Sequence, residues 1–158
     1  MNTKLKAGDR APDFSLPSNK GTKTLAEHLG EWVVVYYYPK DATPGCTQEA
    51  CDFRDLSSSA ELNAQVLGIS ADDLDSHENF AEAHSLPFPL LSDPEHEVAR
   101  RYGAYGEKKN YGKTVEGILR STFIIDPEGL IAEAMYNVKA TGHAERVAKK
   151  LETLQGGA

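Results

Sequence analysis

From Trp32 to Tyr38 the chain reads "WVVVYYY", an unbroken run of aromatic and β-branched side chains closed by Pro39. A strand with one wet face alternates apolar and polar residues; a run without alternation is buried on both faces. The chain therefore needs packing layers above and below a sheet. After Pro39, "KDATPG" has turn chemistry. Thr43 then suits a helix N-cap and Pro44 the first helical position, and "CTQEACDFRDLSS" follows without a breaker.

The same grammar repeats downstream. "AQVLGIS" (Ala64 to Ser70) is a second buried strand, and "DSHENFAEAHSL" an amphipathic helix with Phe80 and Ala83 on one face and Leu86 after them. "FPLLSD" reads as a short strand and "PEHEVARRYGA" as a helix opening on Pro94. A Gly, Lys and Tyr loop spans Gly103 to Lys113. "RSTFIIDPEGLIAEAMYNV" is a hairpin: Ser121 to Ile125, a "DPEG" turn, then Leu130 to Tyr136. "GHAERVAKKLETL" closes the chain as a helix with Ala144, Val147, Ala148, Leu151 and Leu154 as its stripe. Strands alternating with helices, then a hairpin and a last helix, predict an α/β fold: a mixed sheet with helices on both faces. One domain over 1–158 is expected, with 155–158 as a loose tail.

Forty per cent hydrophobic and 26% charged residues are ordinary for a soluble domain. A net charge of −7 without a basic cluster argues against nucleic acid and against anionic membrane surfaces. The opening "MNTKLKAGDRAPDFSL" has no apolar h-region, and no run approaches the roughly 18 apolar residues of a membrane span. These features lead to an expectation of a cytoplasmic protein, in a compartment that keeps thiols reduced.

The only two cysteines, Cys46 and Cys51, lie in one predicted helix. Five residues of helix place their Cα atoms roughly 8–9 Å apart and about 140° around the axis. A disulfide tolerates at most about 7 Å between Cα atoms. An intact helix therefore keeps the sulfurs apart, and the pair does not read as a structural staple. Cys46 falls just beyond the C-terminal end of a buried strand, where α/β sheets collect reactive groups. Unpaired N–H groups and the positive dipole end of the helix face it, an environment of reactive cysteines. Cys51 has two readings: a core cysteine, or a resolving thiol that attacks an oxidised Cys46 once the first helical turns unwind.

Competing chemistries find less support. Zinc wants four ligands, usually with C-x₂₋₄-C pairs, and here there is one pair at the wrong spacing. His28, His77, His84, His96 and His143 are scattered and are expected on solvated helix faces. No metal is expected on that cysteine spacing; G-x-S-x-G, Walker and G-x-G-x-x-G patterns are also absent, so serine-hydrolase, nucleotide-hydrolysing and dinucleotide-binding readings find no support, and no cofactor is expected. A disulfide reductase wants C-x-x-C at the helix start, so that both sulfurs meet without unfolding. A redox-switched binding or holdase protein is compatible with the spacing and could coexist with catalysis.

The segment "YYYPKDATPGCTQEACDFRD" closely resembles the active-site segment of peroxiredoxins, with P-x-x-x-T-x-x-C at Pro39, Thr43 and Cys46. A second cysteine five residues on resembles the bacterioferritin comigratory protein subfamily, also called peroxiredoxin Q. "LKAGDRAPDFSL", "GILRSTFIIDPEG" and the closing helix resemble the family in the same order, so the likeness spans nearly the whole chain.

That resemblance implies a thioredoxin-like fold and a thiol peroxidase, an antioxidant enzyme acting on hydrogen peroxide and organic hydroperoxides. Cys46 would attack the peroxide and become sulfenic acid. Thr43 would hydrogen-bond the peroxide, Pro39 would shield the thiolate from water, and Arg120 would be the cation beside the sulfur. A carboxylate at Glu49 alone opposes a thiolate; the family pattern gives it the task of holding Arg120. Cys51 would close an intramolecular disulfide, which thioredoxin or a similar dithiol protein reduces. A monomer is expected.

Overall fold

The computed structural model describes residues 4–58, 64–110 and 112–156. Two short strands, β1 (Ser15–Leu16) and β2 (Lys23–Thr24), form a small hairpin near the start, followed by a 3₁₀ turn at Ala26–His28. The main sheet then builds from β3 (Val33–Tyr37), helix α1 (Pro44–Ser58), β4 (Gln65–Ser70), α2 (Leu74–His84), β5 (Leu90–Ser92) and α3 (Glu97–Arg101). A second hairpin, β6 (Tyr105–Asn110) and β7 (Lys113–Ile118), precedes β8 (Ser121–Ile125), β9 (Ile131–Met135) and α4 (His143–Gly156).

The five-stranded sheet runs β5-β4-β3-β8-β9. β3, β4 and β5 are parallel, while β8 lies antiparallel to β3 and β9 antiparallel to β8. The unbroken run in β3 is explained by its two faces. Val33, Val35 and Tyr37 join a core with Val98, Ala99 and Tyr102 from α3 and the turn after it. Val34, Tyr36 and Tyr38 join a second core with Phe53 of α1, Phe80 of α2 and Val147 and Leu151 of α4. The expected mixed sheet with helices on both faces is the fold observed.

Three expectations shift. The third helix starts at Glu97 rather than Pro94, because the Asp93 carboxylate accepts from the N–H groups of Val98 and Ala99 and fixes the start there. Most of the stretch expected as a loop is the β6–β7 ribbon, with Gly112 at φ 79° in its turn; Tyr111 lies outside the described residues. Its strands are too polar to signal themselves by periodicity. Helix α4 takes in Gln155 and Gly156, which were expected in the loose tail, while 157 and 158 lie outside the described residues.

Topology gathers the site at one edge. β3, β4 and β5 all end there, each followed within a few residues by an aspartate: Asp41, Asp72 and Asp93. Because Tyr37 pairs with Ser121 across the antiparallel ladder, β8 begins at that same edge. Arg120, the residue before Ser121, is thereby delivered beside the start of α1.

Candidate active site

Helix α1 begins at Pro44, and the Thr43 carbonyl accepts the N–H of Thr47 at 2.8 Å, as an N-cap carbonyl does. Cys46 sits in the first turn with 1% of its surface exposed. Arg120 donates to its sulfur through Nη2 at 3.3 Å and to Glu49 Oε1 through Nη1 at 2.6 Å. One planar guanidinium thus spans thiol and carboxylate, a fork that a lysine ammonium cannot reproduce. Gly45 leaves the room for it: a Cβ there would stand 3.3 Å from Arg120 Nη2. The carbonyl of Arg120 accepts the Val138 N–H at 2.9 Å, tying its main chain to the segment after β9.

The structure therefore brings Cys46, Arg120 and Glu49 into direct contact. Thr43 is half-buried three residues before Cys46, and its hydroxyl donates to the Lys40 carbonyl at 3.0 Å. That leaves the oxygen lone pairs to accept from a ligand. Pro39 is exposed at the end of β3. Cys51 is half-buried on the same intact helix, and both cysteines are free. The helical geometry that separates their Cα atoms by roughly 8–9 Å is thus present.

Electrostatics at this site are set by burial. Burial pushes the Glu49 carboxyl up to about 7 against the pull of Arg120, and its Oε2 has no hydrogen-bond partner among the described residues. Burial also works against the Arg120 charge, but Glu49 and then Cys46 beside it hold the guanidinium above its ordinary value. A carboxyl that binds its proton more tightly folded than unfolded stabilises the fold fully below its unfolded value, and that contribution is lost as pH rises toward 7. Melting temperatures of the parent and Glu49→Gln should therefore diverge between pH 4.5 and 7.5, the parent losing relative stability as pH rises. Parallel curves would contradict a buried, proton-holding Glu49.

Two histidines depart from the expectation of solvated faces. His143, at the start of α4, is buried with Nε2 2.7 Å from Thr122 Oγ1 and its ring edge against Phe53. Burial pushes it down to about 4, so it is neutral near pH 7. His77 is fully buried under Asp41. A signal for it was present: His77, Phe80 and Ala81 are spaced i, i+3, i+4 on the buried side of α2. Ligand-type atoms of Asp41, Asp72 and His77 lie within 4.8 Å of one another, but each residue is already engaged in hydrogen bonds.

A sheet that hands one cysteine to a helix start, beneath a guanidinium from the residue just before the neighbouring strand, is the architecture of thiol redox proteins of the peroxiredoxin class. A family model described as "AhpC/TSA family" matches residues 7–134, and the chain belongs to that family. It is 46% identical over 153 residues to peroxiredoxin Bcp of Bacillus subtilis strain 168, covering 96% of each chain. Identity to peroxiredoxin Bcp of Escherichia coli K12 is 44% over 145 residues, covering 90% of this chain and 93% of that one. The solved bacterioferritin comigratory protein of Xanthomonas campestris matches with a TM-score of 0.85 and 40% identity, over 93% of this chain and 98% of the other. A mutant PrxQ of Xylella fastidiosa matches with a TM-score of 0.88 and 36% identity, over 98% and 99%. The fold is thus thioredoxin-like, and the enzyme a peroxiredoxin.

Proposed function

We propose that this peroxiredoxin reduces hydrogen peroxide and organic hydroperoxides through Cys46, with Cys51 as the resolving thiol. The observation that carries the reading is the Arg120 guanidinium donating at once to the Cys46 sulfur and to buried Glu49. The similar X. campestris protein has alkyl peroxide reduction activity, which supports organic hydroperoxides as substrates.

In the first step the Cys46 thiolate attacks the terminal peroxide oxygen. The S–O bond forms as the O–O bond breaks, and the leaving oxygen takes up the proton that Cys46 released on ionising and departs as water or alcohol, leaving Cys46 as sulfenic acid. Arg120 stabilises the thiolate and then the charge growing on the leaving oxygen. Thr43 orients the peroxide by accepting its O–H, Pro39 limits water at the thiolate, and Glu49 fixes the guanidinium plane. In the second step the first turns of α1 unwind, and the Cys51 sulfur attacks the Cys46 sulfur. The S–S bond forms and the hydroxyl leaves as water. Thioredoxin or a similar dithiol protein reduces the disulfide by exchange.

No helix among the described residues is long and apolar enough to cross a membrane. A cytoplasmic monomer, one domain throughout and without nucleic-acid or membrane partners, fits the acidic sequence.

The test separates the two thiols. Cys51→Ser should keep a stoichiometric first reduction of hydroperoxide but lose sustained turnover with thioredoxin and its reductase by about 10²-fold or more, since no disulfide presents itself to the reductant. Sustained turnover at the parental rate would remove Cys51 from the cycle.

A further inference from the structure

Between Pro39 and Gly45 only one residue is buried. Asp41 is 5% exposed, while its neighbours Lys40 and Ala42 face solvent. Ala42 holds φ +64°, a left-handed conformation that costs a non-glycine residue roughly 1–2 kcal/mol. Such a conformation persists only where the surroundings over-determine it.

The surroundings converge on Asp41. Its Oδ1 accepts from the Tyr38 hydroxyl at 2.5 Å, and its Oδ2 accepts from Ser76 Oγ at 2.8 Å. Oδ2 also meets His77 Nδ1 at 2.7 Å. The other ring nitrogen of His77, Nε2, lies 2.9 Å from the Leu91 carbonyl, which can only accept. So Nε2 carries a proton, and a second proton lies between Nδ1 and Oδ2. The buried pair is held net neutral, with every one of its polar atoms engaged. The main chain is gripped as well: the Asp41 N–H donates to Asp72 Oδ2 at 2.7 Å, and Ser70 Oγ donates to that same oxygen at 2.7 Å.

The link to chemistry is one peptide group. The N–H held by Asp72 and the Lys40 carbonyl that accepts from Thr43 belong to the same planar unit, so fixing one fixes the other. We infer that Asp41, locked by His77, Tyr38 and Ser76, is a positioning residue that sets the Lys40–Asp41 peptide and through it the pose of the Thr43 hydroxyl. The clamp acts on the peroxide-binding group and not on the sulfur, which takes its hydrogen bond from Arg120. This inference rests on the proposed role of Thr43 in receiving the peroxide.

That division gives a test. In a Cys51→Ser background Cys46 is the only thiol, and its rates with hydrogen peroxide and with iodoacetamide can be compared. Alkylation needs the thiolate alone; peroxide reduction also needs Thr43 in place. Asp41→Ala should slow the peroxide reaction by about 10–100-fold, the scale of a misplaced catalytic group, with alkylation unchanged. Asp41→Asn should restore most of the peroxide rate, since an amide can accept from Tyr38 and donate to a His77 Nδ1 freed of its proton. Ser76→Ala, which removes one half-buried hydrogen bond and leaves the rest of the fold untouched, should move the same ratio by a smaller factor. Two rates falling together, or neither falling in both Asp41→Ala and Ser76→Ala, would overturn the inference alone. A Cys51→Ser parent that consumes no hydroperoxide would overturn the peroxidase reading and the inference with it.

Discussion

Cys46→Ser is expected to bring hydroperoxide consumption down to the uncatalysed background while leaving the fold intact. The sulfur is the only atom at the start of α1 able to take an oxygen from a peroxide, and a serine hydroxyl neither ionises at neutral pH nor has sulfur's nucleophilicity. The substitution is close to isosteric in a buried site, and a hydroxyl still accepts from Arg120 Nη2, so melting behaviour should change little. Consumption measured with thioredoxin and its reductase reads the result. Parental activity in this variant would mean that the chemistry happens elsewhere.

Arg120→Met should be the next most damaging change, and for two separable reasons. In the proposed mechanism the cation meets the charge growing on the leaving oxygen, and removing one preorganised donor of that kind costs about 10²–10³ in rate. Its loss also strands Glu49. Breaking a buried pair from one side costs about 3–5 kcal/mol when the remaining charge has no escape. Here there is one: with Arg120 gone, nothing lowers the Glu49 carboxyl, which burial already holds at about 7, and it keeps its proton. The stability loss should therefore be small at pH 5 and grow as pH rises past 7, while the rate loss appears at both. Urea unfolding at the two pH values, beside single-turnover peroxide kinetics, distinguishes the effects. A stability loss independent of pH would contradict the account of Glu49. Arg120→Lys should recover only part of the rate, because an ammonium cannot serve Sγ and Oε1 in one plane.

Much of this was legible in the chain because the signals were periodic and local. The buried run before Pro39, the Thr-Pro-Gly entry to α1 and the apolar stripe of α4 each fix one element with short-range chemistry. The contact of Arg120 with Cys46 is of another kind. It depends on the register that pairs Tyr37 with Ser121, and no local pattern encodes it; the family resemblance alone pointed to Arg120. The β6–β7 ribbon gives no signal in the chain because polar strands carry no alternation to read. The spacing of His77 with Phe80 and Ala81 marks a buried face, but its pairing with an aspartate from the turn after β3 forms only when that turn and α2 meet at the sheet edge.

The proposed cycle turns on the Cys46 sulfur beneath the Arg120 guanidinium, with Cys51 held on the same intact helix. Mass spectrometry of the reduced protein, quenched at successive times after one equivalent of hydrogen peroxide, addresses this directly. The expected sequence is one added oxygen on Cys46, followed by its loss as water and the appearance of a disulfide mapping to Cys46 and Cys51. Oxygen arriving first on Cys51, or both cysteines remaining reduced while peroxide disappears, would contradict it.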